Sequence, residues 1–135
     1  MWSFLLASAL AQGFPDPWEV PTTADVRVIS HGEAVDPLEH LKPQGFTVLD
    51  VGASWCAPCH ESARELRTYA EANEDVGVRA VSLPGDPRES LNAPAAELLG
   101  GRSAVPFFVV YDPDGRVIYE GHRLSRALRR IERRR

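Results

Sequence analysis

Both cysteines of this 135-residue chain lie in one segment, Trp55-Cys56-Ala57-Pro58-Cys59, and that segment constrains the fold more than any other. An apolar run over residues 46–51 leads into it, and a polar, helix-compatible run over residues 60–72 leads out. C-x-x-C between a strand and a helix reads as a redox dithiol. Cysteines at i and i+3 in a first helical turn point the same way. Their Cα atoms then lie near the ~5.5 Å spacing of a disulfide. A thiol at a helix N-terminus is ionised more readily than a free one, because unpaired N–H groups and the helix dipole stabilise the thiolate. Pro58 fits that place, since a first turn tolerates a missing N–H. On this reading Cys56 attacks a substrate disulfide, and Cys59, one turn inward, resolves the mixed disulfide. An alternative stays open: a metal-binding or metallochaperone domain that joins Cys56 and Cys59 with one or two of His31, His40, His60 and His122. A structural zinc takes four ligands, and the chain has no second cysteine pair. A bridge across so short a loop constrains little of the unfolded chain, which argues against a purely structural disulfide.

The flanking pattern alternates strands and helices. Residues 26–29 (Val-Arg-Val-Ile) predict a first strand. Asp36 as cap and Pro37 at the first helical position predict a short helix to Leu41. Residues 46–51 predict a strand covered on both faces. After the cysteines, Ala63, Leu66, Tyr69 and Ala70 form one apolar helical stripe. Residues 76–83 predict a returning strand, residues 84–103 a turn-rich region with a weak helix over 95–99, and residues 105–111 another strand. Asp112-Pro113-Asp114-Gly115 is a type I turn signal, so residues 116–120 form the hairpin partner. Leu124, Ala127, Leu128 and Ile131 close the chain with an amphipathic helix. The early part needs parallel crossovers and the end supplies an antiparallel pair, so one α/β domain with a mixed sheet is expected.

The stretch Val48-Leu49-Asp50-Val51-Gly52-Ala53-Ser54-Trp55-Cys56-Ala57-Pro58-Cys59 resembles the active-site strand and turn of the thioredoxin superfamily. Val105-Pro106-Phe107-Phe108-Val109-Val110 resembles that family's cis-proline segment, and residues 112–121 its terminal hairpin and following glycine. The resemblance covers residues 31–135. It implies a thioredoxin fold, a central mixed β-sheet flanked by helices in a single domain. It also implies thiol–disulfide oxidoreductase activity with no cofactor beyond a redox-active Cys56–Cys59 disulfide. Cys56 matches the exposed nucleophile, Cys59 the resolving thiol, and Trp55 the aromatic that shapes the docking surface. Ala57 and Pro58 complete the motif, and their identity resembles the reducing members. Asp50 matches the buried acid that exchanges a proton with the resolving cysteine. Independently of the resemblance, an Asp inside an apolar strand has its pKa raised by desolvation. Pro106 matches the cis-proline facing the dithiol, and Val105 would offer its backbone to an extended substrate. Two departures stand out: Arg64 replaces a kinking Pro, and His60 takes a position where a basic residue is common. The expected partners are protein disulfide substrates and a dithiol electron donor, and the protein is expected to be a monomer.

Charge and the N-terminus bound the setting. The net charge of −4 conceals an asymmetry: residues 122–135 hold seven Arg and one Glu, so the rest of the chain balances to −10. An acidic body argues against nucleic acid as a partner. The basic end reads as a solvated helix face, with an anionic surface or acidic partner as the other possibility. Residues 1–11 are apolar or small and end in Ala9-Leu10-Ala11, the pattern of a secretory signal peptide, although no Lys or Arg precedes the apolar core. Residues 12–25, with Pro15, Pro17 and Pro21, read as an extended linker. The domain proper is expected over 26–135. Export to a periplasmic or other extracytoplasmic space is expected, with the cytoplasm as the alternative.

Overall fold

The computed structural model describes residues 16–135; the expected signal peptide and the start of the Pro-rich stretch lie outside them. Five strands form one sheet: β1 (Asp25–Ser30), β2 (Phe46–Ala53), β3 (Val76–Leu83), β4 (Phe107–Tyr111) and β5 (Val117–Gly121). Their order is β1-β3-β2-β4-β5. β1, β3 and β2 run parallel, while β4 and β5 are added antiparallel. The helices are α1 (Ala57–Glu71), α2 (Pro87–Asn92) and α3 (Leu124–Arg134), with 3-10 turns at Pro37–His40 and Pro94–Leu99. This is the single-domain mixed sheet flanked by helices expected from the sequence.

The period of two along the strands builds two cores. On one face Phe46, Val48, Val76, Val78, Phe108 and Val110 pack under Leu66 and Ala70 of α1 and Leu124, Ala127 and Ile131 of α3. On the other, Leu49, Val51, Ala53, Val81, Leu83 and Phe107 pack with Ala95 and Leu99. Each large apolar side chain so buried contributes about 1.5–3 kcal/mol. β2 is buried along its whole length because it has a strand on either side and a core on either face.

Several boundaries differ from expectation. The helix foreseen from Asp36 is a 3-10 turn; Asp36 does cap it, accepting the Leu38 N–H at 3.0 Å. β2 runs two residues past Val51, and β4 starts at Phe107 rather than Val105. Within the region read as turn-rich, Asp86 caps α2 by accepting the Glu89 N–H at 2.9 Å. In the stretch read as a linker, Trp18 packs against the first core and Asp25 already belongs to β1. Asp25 receives a two-pronged pair from Arg79, whose Nη1 and Nη2 lie 3.0 and 3.1 Å from the two carboxylate oxygens. Arg79 also donates through Nε to the His40 carbonyl at 2.7 Å and is 1% exposed. One interior cation thus ties β1, β3 and the first 3-10 turn together.

Candidate active site

The site begins where β2 runs out. The strand delivers Asp50, Gly52 and Ala53 into the interior; the chain turns at Ser54 and Trp55, and α1 starts at Ala57. Cys56 is the N-cap residue of α1, and its sulfur accepts the Cys59 N–H at 3.2 Å. That is the environment that favours a thiolate: an orphan N–H and the positive end of a helix dipole. Cys56 and Cys59 are joined as a disulfide, with Cα atoms 5.2 Å apart. α1 continues unbroken through Arg64.

One expectation needs correction. The resemblance implies an exposed nucleophile, yet Cys56 is 4% exposed. Its sulfur is bonded to Cys59 and lies 3.7 Å from the Val105 carbonyl oxygen, which cover it between them. The accessible surface is supplied by its neighbours Trp55, Ala57 and Pro58. Trp55 is 38% exposed, and its indole N–H donates to Ser90 Oγ at 2.8 Å; Ser90 in turn donates to the Pro84 carbonyl at 2.6 Å. α2 therefore fixes the orientation of the aromatic beside the dithiol. The Val105–Pro106 peptide bond is cis, both residues are half-buried, and the Val105 carbonyl is the group that meets Cys56 Sγ.

Behind the disulfide, Asp50 is 2% exposed, and its Oδ1 has no hydrogen-bond partner among the described residues. Burial pushes its carboxyl up to about 8, and the Asp16 carboxylate adds to the rise. Gly52 separates it from Cys59: a Cβ placed there would stand 3.4 Å from Cys59 Sγ and 3.8 Å from Asp50 Oδ1. Asp50, Gly52, Cys59, Val81 and Ser82 line a cavity of about 10 Å³ closed by Pro17 and Trp18. That volume is roughly the space of one water. Arg67 of α1 holds the closing segment, donating to the Pro17 carbonyl at 3.1 Å.

The fold thus brings together Cys56, Cys59, Asp50, Trp55, Val105 and Pro106. Sequence reasoning missed Trp18 and Ser90. Neither has a local signature, though the Asp86-Pro87 start signal could have placed Ser90 in a helix. His60 Nε2 lies 2.7 Å from the Ser54 carbonyl oxygen and His122 Nδ1 lies 2.8 Å from that of Pro106. Among the described residues, no group of three or more His, Cys, Asp or Glu could hold a metal ion.

Solved structures share this arrangement of chain. A thioredoxin from Trichomonas vaginalis aligns at 25% identity over 90% of this chain and 100% of that one, with a TM-score of 0.57. A chain from the complex of ferredoxin:thioredoxin reductase with thioredoxin f2 aligns at 24% identity over 84% and 98%, with a TM-score of 0.61. Oxidised mitochondrial thioredoxin 3 from Saccharomyces cerevisiae aligns at 22% identity over 78% and 94%, with a TM-score of 0.57. No protein-family model and no curated protein sequence matches the chain. Five strands in this order, with a cysteine pair at the junction of β2 and α1, make the chain a member of the thioredoxin superfamily.

Proposed function

We propose that the protein is a thiol–disulfide oxidoreductase that reduces protein disulfides. The observation that carries this reading is the position of Cys56: cap of α1, partner of Cys59, and 3.7 Å from the Val105 carbonyl. In the reduced protein the Cys56 thiolate attacks one sulfur of a substrate disulfide. A mixed disulfide forms, and one substrate thiolate leaves and is protonated. Asp50, with a pKa of about 8, is ionised in a minority of molecules at neutral pH and accepts the Cys59 proton across the small cavity. A base poised near the working pH suits such a transfer. The Cys59 thiolate then attacks Cys56 Sγ, closing the bridge and releasing the second substrate thiolate. The substrate gains two electrons and two protons, and the dithiol loses the same. Trp55, Val105 and Pro106 form the docking surface. Val105 presents its backbone to an extended segment of substrate, in the manner of strand addition.

A dithiol on another protein restores the reduced pair by the reverse exchange. The thioredoxin f2 chain, which is solved in complex with ferredoxin:thioredoxin reductase, illustrates such a pairing. We further propose that the protein works as an exported monomer in a periplasmic or other extracytoplasmic space, on the strength of the apolar first eleven residues.

Insulin reduction tests the reading. The wild-type protein should reduce insulin, Cys56→Ser should not, and Cys59→Ser should accumulate the mixed disulfide. The couple should have a potential nearer that of the reducing family members (about −270 mV) than the oxidising ones (about −120 mV). Wild-type rates from Cys56→Ser would remove Cys56 as nucleophile, and a potential at the oxidising end would reverse the direction.

A further inference from the structure

The surface around the dithiol continues past Pro106. His122 Nδ1–H donates to the Pro106 carbonyl at 2.8 Å, and its ring lies 5.5 Å from that of Phe107. From His122 a groove of about 640 Å³ runs between β5 and α3, with Glu120, Arg123, Arg126 and Arg130 among its lining residues. The three arginines, at i, i+3 and i+7, form one stripe along α3 that spans about 10 Å. All three are exposed, and among the described residues none is ion-paired. Of the other four arginines of the chain end, two are paired: Arg134 with Asp112 at 2.8 Å and Arg135 with Asp75 at 2.7 Å. Among the described residues, the one acid lining the groove, Glu120, lies 3.9 Å from Arg102 Nη2. Arg123 occupies the N-cap position of α3 with no side-chain cap bond, and Arg126 follows within the first turn, where cations oppose the helix dipole and cost stability. Arg130 also donates to the Ile118 carbonyl at 2.8 Å, so that point of the β5 edge is already engaged and what remains on offer is charge.

We propose that this groove selects substrate: the disulfides reduced fastest are those in polypeptides carrying Asp or Glu within a few residues of the reacting cysteine. The proposal rests on the reading of Cys56–Cys59 as a reductant. A polypeptide is favoured over a lipid surface because the groove is concave and its head touches the docking loop. An extended chain at about 3.3 Å per residue crosses the arginine stripe in about three residues. The chemistry is unchanged: the Cys56/Cys59 dithiol is oxidised to its disulfide, and the substrate disulfide takes up the two electrons and two protons.

The test uses protein reduced beforehand with dithiothreitol and then freed of it, in single turnover against two peptides. Each peptide has one internal disulfide, flanked on both sides by three glutamates in one and three lysines in the other. Each rate constant is normalised to the peptide's reaction with dithiothreitol. Three surface ion pairs of ordinary strength predict an advantage of about 5- to 20-fold for the acidic peptide. The advantage should fade between about 0.01 M and 1 M salt, as the screening length falls from ~30 to ~3 Å. The Arg126→Glu/Arg130→Glu double variant should reverse the preference, and the milder Arg126→Gln should reduce it. Arg27→Glu, on the opposite edge of the sheet, should leave the ratio unchanged. Equal normalised rates at low salt, or an undiminished ratio in the folded double variant, would overturn the proposal. So would binding to vesicles of anionic phospholipid through these arginines without any peptide preference. If neither peptide is reduced, the reductase reading itself falls.

Discussion

Asp50 shows how one residue can serve chemistry at the expense of the fold. Its carboxyl ionises near 3.8 in an unfolded chain but near 8 in the folded protein, because burial in β2 penalises the charged form and the Asp16 carboxylate adds to the rise. Below about pH 4 both states hold the proton, and the residue is neutral toward stability. Between about 4 and 8 the unfolded chain loses the proton while the folded one keeps it, so stability falls as pH rises. At pH 7 the deficit is about 4 kcal/mol, at roughly 1.4 kcal/mol per pH unit. Asp50→Asn should therefore leave the urea midpoint of the oxidised protein little changed near pH 4 and raise it markedly near pH 8. Parallel pH profiles for the two proteins would refute this account. The position of Asp50 was legible in the sequence, because an acid inside an apolar run has nowhere wet to go. The same holds for the cysteine pair, whose spacing and neighbours are local facts. Trp18 was not legible. Asp50 and Cys59, with which it encloses the small cavity, lie more than thirty residues away, and the prolines around it favour an extended reading whether or not the segment docks.

At the scale of elements, strands were easier to foresee than the polar links between them. β2, β3 and β4 announce themselves as apolar runs, and the turn at Asp112 is set by its own side chain, which accepts the Asp114 and Arg116 N–H groups at 2.9 Å each. α2 is six residues long and carries no apolar stripe; only its cap distinguishes it from a loop. The Arg79–Asp25 pair was invisible, because a lone Arg in a strand pattern gives no hint of what will neutralise it. Burial tends to raise the Asp25 carboxyl, but hydrogen bonds from Arg79 and Lys42 outweigh that and hold it below the ordinary range. Arg79→Leu leaves Asp25 with Lys42 and the exposed Arg27, and the His40 carbonyl without its donor. It should cost about 3 kcal/mol in chemical denaturation, as removal of one partner from a buried pair does. A loss below about 0.5 kcal/mol, the size of an ordinary surface change, would show that the network is ornamental.

For the molecule as a whole, the two cores on either face of the sheet, and not the disulfide, hold the fold. The bridge joins residues only three apart in sequence. In the chain-entropy description a loop of that length contributes no more than about 2 kcal/mol. Reduction should leave the far-ultraviolet circular dichroism unchanged and lower the melting temperature by only several degrees; wholesale unfolding on reduction would contradict this. The strand order has one more effect. β1 and β5 are the two margins of the sheet, and each carries an arginine: Arg27, largely exposed, on β1, and Arg130 of α3 laid across the Ile118 carbonyl of β5. Charged margins of this kind discourage copies from pairing edge to edge. The protein can therefore be concentrated with less risk of the fibrous association that bare strand margins invite.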